Sequence, residues 1–331
     1  MTEHGTGRRS GPVRLAGAAG LGTAPFGSGP GWELDWGPAS EPESVSAIRA
    51  ALTAGVGWVD TAPFYGWGRA ERAVGRALRR TGADGAAAGL AGAGHDARPA
   101  LLTKCGTFRG PDGRSYEDHR AAAIRADLDA SLARLGCPAV DVLQLHDPDP
   151  RTPVESAWET IHDLIAAGQA RGGGLSNHPV ALMDRALRVG PVDVVQHQYS
   201  LLHRAPERDG VLAWCAEHDA AFLAWSPLAS GFLAGGFDVT ALGPGDFRRQ
   251  LPWSRGDLAG RLGELRRSLA GIGADAGLPV SALAIGWVLA KGAKAIVGAR
   301  SPGEAAAIAG YRALAPDVAA AVEAAAGPFA G

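Results

Sequence analysis

The sequence predicts an α/β protein, a single-domain (β/α)8 TIM barrel. Three observations lead there. Short apolar runs alternate with longer stretches of helical periodicity about eight times, and parallel strands need such crossover connections. A chain of 331 residues holds one barrel of roughly 250 residues with room for a tail and insertions. The polar residues of interest fall at the C-terminal ends of the runs all along the chain. Those ends share one mouth in a barrel, whereas an open doubly wound sheet would spread them along an edge.

Residues 1–12, MTEHGTGRRSGP, are polar and lack the apolar core of a signal peptide. They read as a flexible tail on a cytoplasmic protein whose barrel occupies residues 13–331. A first strand is expected within 15–24. The first helix begins near Pro42, behind Ser40 and Glu41, with Val45, Ile48, Ala51 and Leu52 at helical spacing and Gly55 ending it. A strand at 58–62 and a helix at 70–80 follow. Residues 82–100 carry almost no large apolar side chain and read as a flexible Ala/Gly-rich insertion. Next come a strand at 101–106, a helix at 119–135, a strand at 140–146 and a helix at 154–167. A strand at 171–177, a helix at 179–189, a strand at 192–198, a helix at 208–217 and a strand at 221–226 continue the alternation. A long Gly/Pro-rich loop at 227–256, expected to cover a cofactor, precedes helical stretches at 257–276 and 280–290 and a last strand at 293–299.

Composition removes several function classes. A formal net charge of −2 leaves no basic excess to neutralise phosphates, so no nucleic-acid partner is expected. No apolar run approaches the roughly 20 residues a membrane helix needs. Cys105, Cys137 and Cys215 are odd in number and form no C-x-x-C pair, which argues against a disulfide framework or a structural zinc. No metal is expected elsewhere: His146, Asp147 and Asp149 lie too close along one strand end to converge on an ion. The G-x-G-x-x-G fingerprint, the P-loop, the G-x-S-x-G elbow and H-E-x-x-H are all absent.

What remains is a constellation. Asp60 ends the second run, Tyr65 lies five residues on, Lys104 ends the third run and His146 the fourth. Lys104 stands out because lysine occurs only there and at Lys291 and Lys294 among 32 Lys+Arg. Alone, each residue has a plainer reading as a cap, a packed loop ring, a solvated charge or a structural histidine. In order on successive strand ends they suit one task. A tyrosine is a reluctant acid at its ordinary pKa near 10, and a neighbouring ammonium lowers it. A carboxylate holds the ammonium in place, and an imidazole orients a substrate oxygen. The set can protonate a carbonyl oxygen while hydride reaches its carbon.

These residues, and the segment DTAPFYGWGRAERAVGRAL after the second run, resemble the aldo-keto reductases over nearly the whole chain. The resemblance implies a (β/α)8 barrel binding NADPH, or less often NADH, without a Rossmann motif. It implies Tyr65 as general acid, Lys104 and Asp60 as its tuning partners and His146 as substrate orienter. It places Gly22, Thr23 and Ala24 along the cofactor, Ser176, Asn177 and Gln196 at the nicotinamide carboxamide, and the Trp225 ring against the nicotinamide. Asp60 also borders the cofactor. Ser226, Pro227, Leu228 and Gly231 would lie along the pyrophosphate, reached by backbone N–H groups, and Gly298, Arg300 and Glu304 near the adenosine. Glu304 departs from the arginine or glutamine common there, and Ala307 and Ile308 replace a Glu-Asn pair. An acidic group repels a 2′-phosphate and can accept a ribose hydroxyl, so NADH is possible beside NADPH. Phe26, Trp32, Phe64, Trp67 and Phe108 are the expected substrate-pocket rings for a small-molecule carbonyl or sugar. The competing functions are a catalytically weak nicotinamide-binding accessory or sensor on the same barrel, and a hydrolase pairing Asp60 with Asp147.

Overall fold

A period of two runs through the short apolar segments, and it sorts their side chains into two cores. The computed structural model describes residues 13–79 and 98–329. Among them are ten strands: β1 Ala19–Gly22, β2 Trp58–Asp60, β3 Ala100–Cys105, β4 Thr107–Arg109, β5 Ser115–Glu117, β6 Val140–Leu145, β7 Ala170–Ser176, β8 Val194–Gln198, β9 Ala221–Trp225 and β10 Lys294–Gly298. Eight of these close a parallel barrel in the order β1-β2-β3-β6-β7-β8-β9-β10, with β10 returning to β1, while β4 and β5 form a separate antiparallel hairpin.

Trp58, Leu102, Val142, Val194, Leu223 and Ile296, one from each of six strands, form with Leu15 a cluster of their own inside the barrel. Their neighbours Val59, Leu101, Leu143, Val195, Ala224 and Val297 belong to the larger cluster that also holds the apolar faces of the helices. Such alternation is what a half-wound β period requires when both faces of a sheet are covered.

The expected helices stand within one to three residues of their predicted bounds. The first, Glu41–Thr53, is capped by Ser40, whose Oγ accepts the Glu43 N–H. The others include Arg69–Leu78, Ala121–Leu135, Val154–Ala166, Val180–Leu187, Gly256–Ala276 and Val280–Ala290. Several details depart from the expectation. The predicted helix at 208–217 is two, Ala205–Arg208 and Val211–Glu217, separated by Gly210 at φ 78°. Ala100 belongs to β3 rather than to the insertion, and Gly256 starts a helix rather than ending the loop. The hairpin and the terminal helix Pro316–Ala326 were not anticipated, the first because three-residue strands carry too few alternations to register, the second because its alanines give little contrast between faces. The tail at 1–12 and the insertion at 82–100, apart from Arg98–Ala100, lie outside the described residues. No single helix among the described residues is long and apolar enough to cross a membrane.

Candidate active site

Two residues further along the strands, the inward positions turn polar. Above Trp58, Leu102, Val142 and Val194 come Asp60, Lys104, Gln144 and Gln196, all four buried. Lys104 Nζ donates to Asp60 Oδ1 at 2.6 Å, to the Thr61 carbonyl at 3.1 Å and to Tyr65 Oη at 3.0 Å. Asp60 Oδ2 accepts from Gln196 Nε2 at 2.9 Å and Gln144 Nε2 at 3.3 Å. Thr23 clamps the Asp60 carbonyl with its N–H and its hydroxyl, both at 3.0 Å. The ammonium thus has three acceptors and the carboxylate three donors, which is what keeps a buried ion pair from being a liability. Gln144 needs space, and Gly174 supplies it: a Cβ there would lie 2.8 Å from Gln144 Cγ.

Tyr65 arrives on the turn after β2. Gly66 follows it at φ 60°, and a Cβ on Gly66 would sit 2.0 Å from the Gly27 carbonyl oxygen. Only glycine fits both the left-handed backbone and that contact. Arg69 Nε fastens the same junction by donating to Gly27 O at 2.9 Å. The phenol meets His146 edge to face, with ring centroids 5.8 Å apart. Phe64 lies 5.6 Å from both the His146 and Trp32 rings and 5.3 Å from Trp67. Tyr65, Lys104, Asp60 and His146 therefore come together beside a cluster of aromatic rings.

The electrostatics differ from the expectation in one respect. Burial pushes the Tyr65 phenol above its ordinary pKa, and the Lys104 ammonium offsets this only in part. The phenol is therefore firmly protonated at neutral pH. Burial works against the Lys104 charge, but Asp60 and Tyr65 outweigh it and leave that pKa raised. Burial, then Lys104 and His119, hold His146 well below its usual range, so its imidazole is neutral. Its Nδ1 is buried without a partner, and so is Ser176 Oγ at the end of β7. An orphaned buried polar atom costs about 1–3 kcal/mol, so each has a hydrogen bond to offer.

Residues 19–326 match the Aldo/keto reductase family. The chain belongs to that family. Aldo-keto reductase YhdN of Bacillus subtilis is 32% identical over 200 residues, 60% of this chain and 56% of that protein, so the match spans little more than half of that relative. An NADH-specific methylglyoxal reductase of Escherichia coli is 27% identical over 274 residues, 82% of this chain and 81% of its own. The solved structure of the glycerol dehydrogenase from Gluconobacter oxydans superposes with a TM-score of 0.81 at 28% identity, covering 96% of this chain and 95% of its own.

The residues expected along the cofactor behave unevenly. Ser176 has its hydroxyl free, but the amides of Asn177 and Gln196 are engaged within the protein. Gln196 Nε2 is taken by Asp60 and by Gln144 Oε1 at 3.3 Å. Asn177, left-handed at φ 59°, donates from Nδ2 to Asp147 Oδ1 at 2.8 Å and accepts from Trp225 Nε1 at 3.0 Å. Ser226 at φ 56°, then Ala229, Ser230 and Gly231, also with positive φ, give the loop after β9 a tight coil. The N–H groups of Ala229, Ser230, Gly231, Phe232 and Leu233 all donate within the loop. Pro227 has no N–H, and Leu228 is partly buried against the core. Gly22 and Gly298 lie side by side at the ends of β1 and β10, and Ala24 packs against the Trp32–Phe64 cluster. The Arg300 guanidinium donates to the carbonyls of Trp36 at 2.7 Å and Pro38 at 2.9 Å, and Glu304 accepts the Arg300 N–H at 2.7 Å. Farther along, the 227–256 loop reaches the segment after β1: Phe247 N–H donates to Asp35 O at 3.0 Å, and its ring meets Trp36 at 5.1 Å.

Two expected pocket rings lie outside the Trp32–Phe64 cluster. Phe26 packs into the helix–sheet core. Phe108 lies on the β4–β5 hairpin against Tyr116, 5.9 Å between centroids. Both belong to short elements after a barrel strand, a turn of 3-10 helix and a three-residue strand, whose directions no periodicity describes. Gln144 was missed as a support of Asp60. A period-two reading of Val142, Gln144 and His146 carried the signal. No His/Cys/Asp/Glu cluster among the described residues could hold a metal ion. Asp149, the third residue of that motif, instead organises its own loop, accepting from the N–H groups of His119 at 2.9 Å and Arg151 at 2.9 Å.

Proposed function

We propose that this family member transfers hydride between a nicotinamide cofactor and a small carbonyl or alcohol, with Tyr65 as general acid and base. One observation carries the reading: a fully buried ammonium stands between a carboxylate at 2.6 Å and a phenol at 3.0 Å, and the phenol faces a neutral imidazole. A structural lysine has no need of a phenol, and a structural tyrosine has no need of a buried charge.

The cofactor's place is supported by the orphaned Ser176 hydroxyl and by the partly buried Trp225 ring, which is bonded to the next residue, Asn177. When bound, the nicotinamide supplies or takes up the hydride. The chain's residues handle the oxygen. The Tyr65 hydroxyl gives its proton to the carbonyl oxygen, and Lys104 stabilises the phenolate left behind. Asp60 keeps Lys104 charged and centred. His146, neutral and unable to compete for the proton, orients the oxygen. Phe64, Trp32 and Trp67 exclude water, which strengthens each of these interactions.

Between the two nicotinamide cofactors, Glu304 and the engaged Arg300 favour NADH over NADPH. Arg300 already spends its guanidinium on two carbonyls, and a carboxylate beside it opposes a further phosphate. The NADH-specific relative agrees with that direction. A pocket of flat rings with few charges suits a short polyol, hydroxycarbonyl or dicarbonyl, in line with the substrates in the two relatives' names.

The test is Tyr65→Phe. Reduction of an aldehyde panel should fall by about 10²–10⁴, while NADH affinity measured by calorimetry stays within about twofold. Turnover that survives the substitution removes Tyr65 from its role.

A further inference from the structure

We infer that Asp147 is a positioning residue, which through Asn177 holds the indole of Trp225 in its working orientation. The inference rests on Trp225 being the nicotinamide platform. Its observation is a hydrogen-bond chain across strand ends: Trp225 Nε1 donates to Asn177 Oδ1 at 3.0 Å, and Asn177 Nδ2 donates to Asp147 Oδ1 at 2.8 Å.

The direction of this chain is set at both ends. An ionised carboxylate only accepts, and an indole N–H only donates. The amide between them satisfies both in one orientation alone, with its NH2 toward Asp147 and its oxygen toward Trp225. Flipped, it would set oxygen against oxygen and donor against donor. Asn177 has little freedom otherwise. Its backbone is left-handed, which asparagine tolerates better than most residues, and its N–H donates to the Gln196 carbonyl at 2.9 Å. The amide is thus a rigid spacer, and the charge on Asp147 is the half of its orientation that pH can change.

Protonation weakens that preference. A neutral acid can donate as well as accept, so the Asp147 end no longer excludes the flipped amide and the indole N–H alone opposes it. Burial raises the Asp147 pKa to about 6, against the Asn177 hydrogen bond and Lys104. The charged and titratable groups around it are Lys104 from β3, Tyr65 from the turn after β2, Glu117 from β5 and its own neighbour His146. The ionised form, present above that value, holds the ring; the hold loosens as pH falls through it.

The experiment measures dissociation constants of NADH and NAD+ on the full chain by calorimetry between about pH 5 and pH 8, a window that spans the Asp147 pKa of about 6. Wild type should bind both forms more weakly on the acid side. Asp147→Ala should weaken both by about fivefold to twentyfold at pH 8. Asp147→Asn, which like the neutral acid can both donate and accept, should bind at pH 8 as wild type does on the acid side and show no acid limb. Trp225→Phe keeps a ring but has no N–H, so adding Asp147→Ala to it should change nothing further. Unchanged affinity in Asp147→Ala overturns the inference, as does a loss confined to NAD+, which would indicate direct attraction of the charged ring. Trp225→Ala separates the two layers. If it leaves both affinities intact, the platform reading fails and takes the inference with it; if it weakens them while Asp147→Ala does not, the positioning role alone fails.

Discussion

Replacing Lys104 by methionine removes one charge and keeps most of the side chain's volume. The nitrogen it deletes is fully buried and makes three contacts, to Asp60, Thr61 and Tyr65. Breaking a buried pair from one side costs about 3–5 kcal/mol, because the partner charge is stranded. Here Asp60 keeps the Gln196 and Gln144 amides, so the lower end of that range is expected. The kinetic effect is separate. The variant lacks the cation that stabilises the phenolate as the proton leaves, comparable to losing an oxyanion donor, worth about 10²–10³ in rate. Thermal unfolding and steady-state oxidation of NADH with a small aldehyde read the two effects. The double variant Asp60→Asn, Lys104→Met tells them apart. It removes the stranded charge, so it should melt above the single variant while its turnover stays low. Near-wild-type turnover in Lys104→Met would refute the electrostatic role, and a double variant no more stable than the single one would refute the account of the ion pair.

Three further outcomes are expected. Glu304→Arg should raise affinity for NADPH relative to NADH, measured by calorimetry; an unchanged ratio would mean that the Arg300–Glu304 corner does not meet the adenosine. Because the Tyr65 phenol is held above its ordinary pKa, carbonyl reduction should be flat through neutral pH, whereas alcohol oxidation, which needs the phenolate, should climb with pH; initial rates in both directions check this, and a flat oxidation profile with chemistry rate-limiting would count against Tyr65 as the base. Gly174→Ala should destabilise by about 1–3 kcal/mol, since its Cβ would press on Gln144 Cγ at 2.8 Å and on the Val194 carbonyl at 3.0 Å, and denaturant unfolding should show it.

Much of this site is linear information. Asp60, Lys104 and His146 sit at strand ends, and strand ends are visible as breaks in a period-two pattern. Their convergence follows from parallel closure, because a barrel brings every C-terminal end to one mouth. The same alternation contains Gln144, which sits between Val142 and His146 on the inward face. Phe26 and Phe108 show where the pattern stops. Each lies in an element of three or four residues, and side-chain directions there come from individual backbone angles and neighbouring contacts. Nothing in the residue order says that Phe26 turns into the core or that Phe108 rides on a hairpin.

The sequence by itself determined the order of the barrel's strands and helices, the inward and outward faces of each strand and the polar residues that stand at the strand ends. These are local properties, set by periodicity and by side-chain chemistry. The tertiary structure decided how the polar groups spend their hydrogen bonds. It shows Asn177 bound between Asp147 and Trp225, Arg300 tied to the carbonyls of Trp36 and Pro38, and a phenol whose burial outweighs the ammonium beside it. Hydrogen-bond partners and desolvation depend on distances between residues far apart in the chain, and those distances exist only once the barrel has closed.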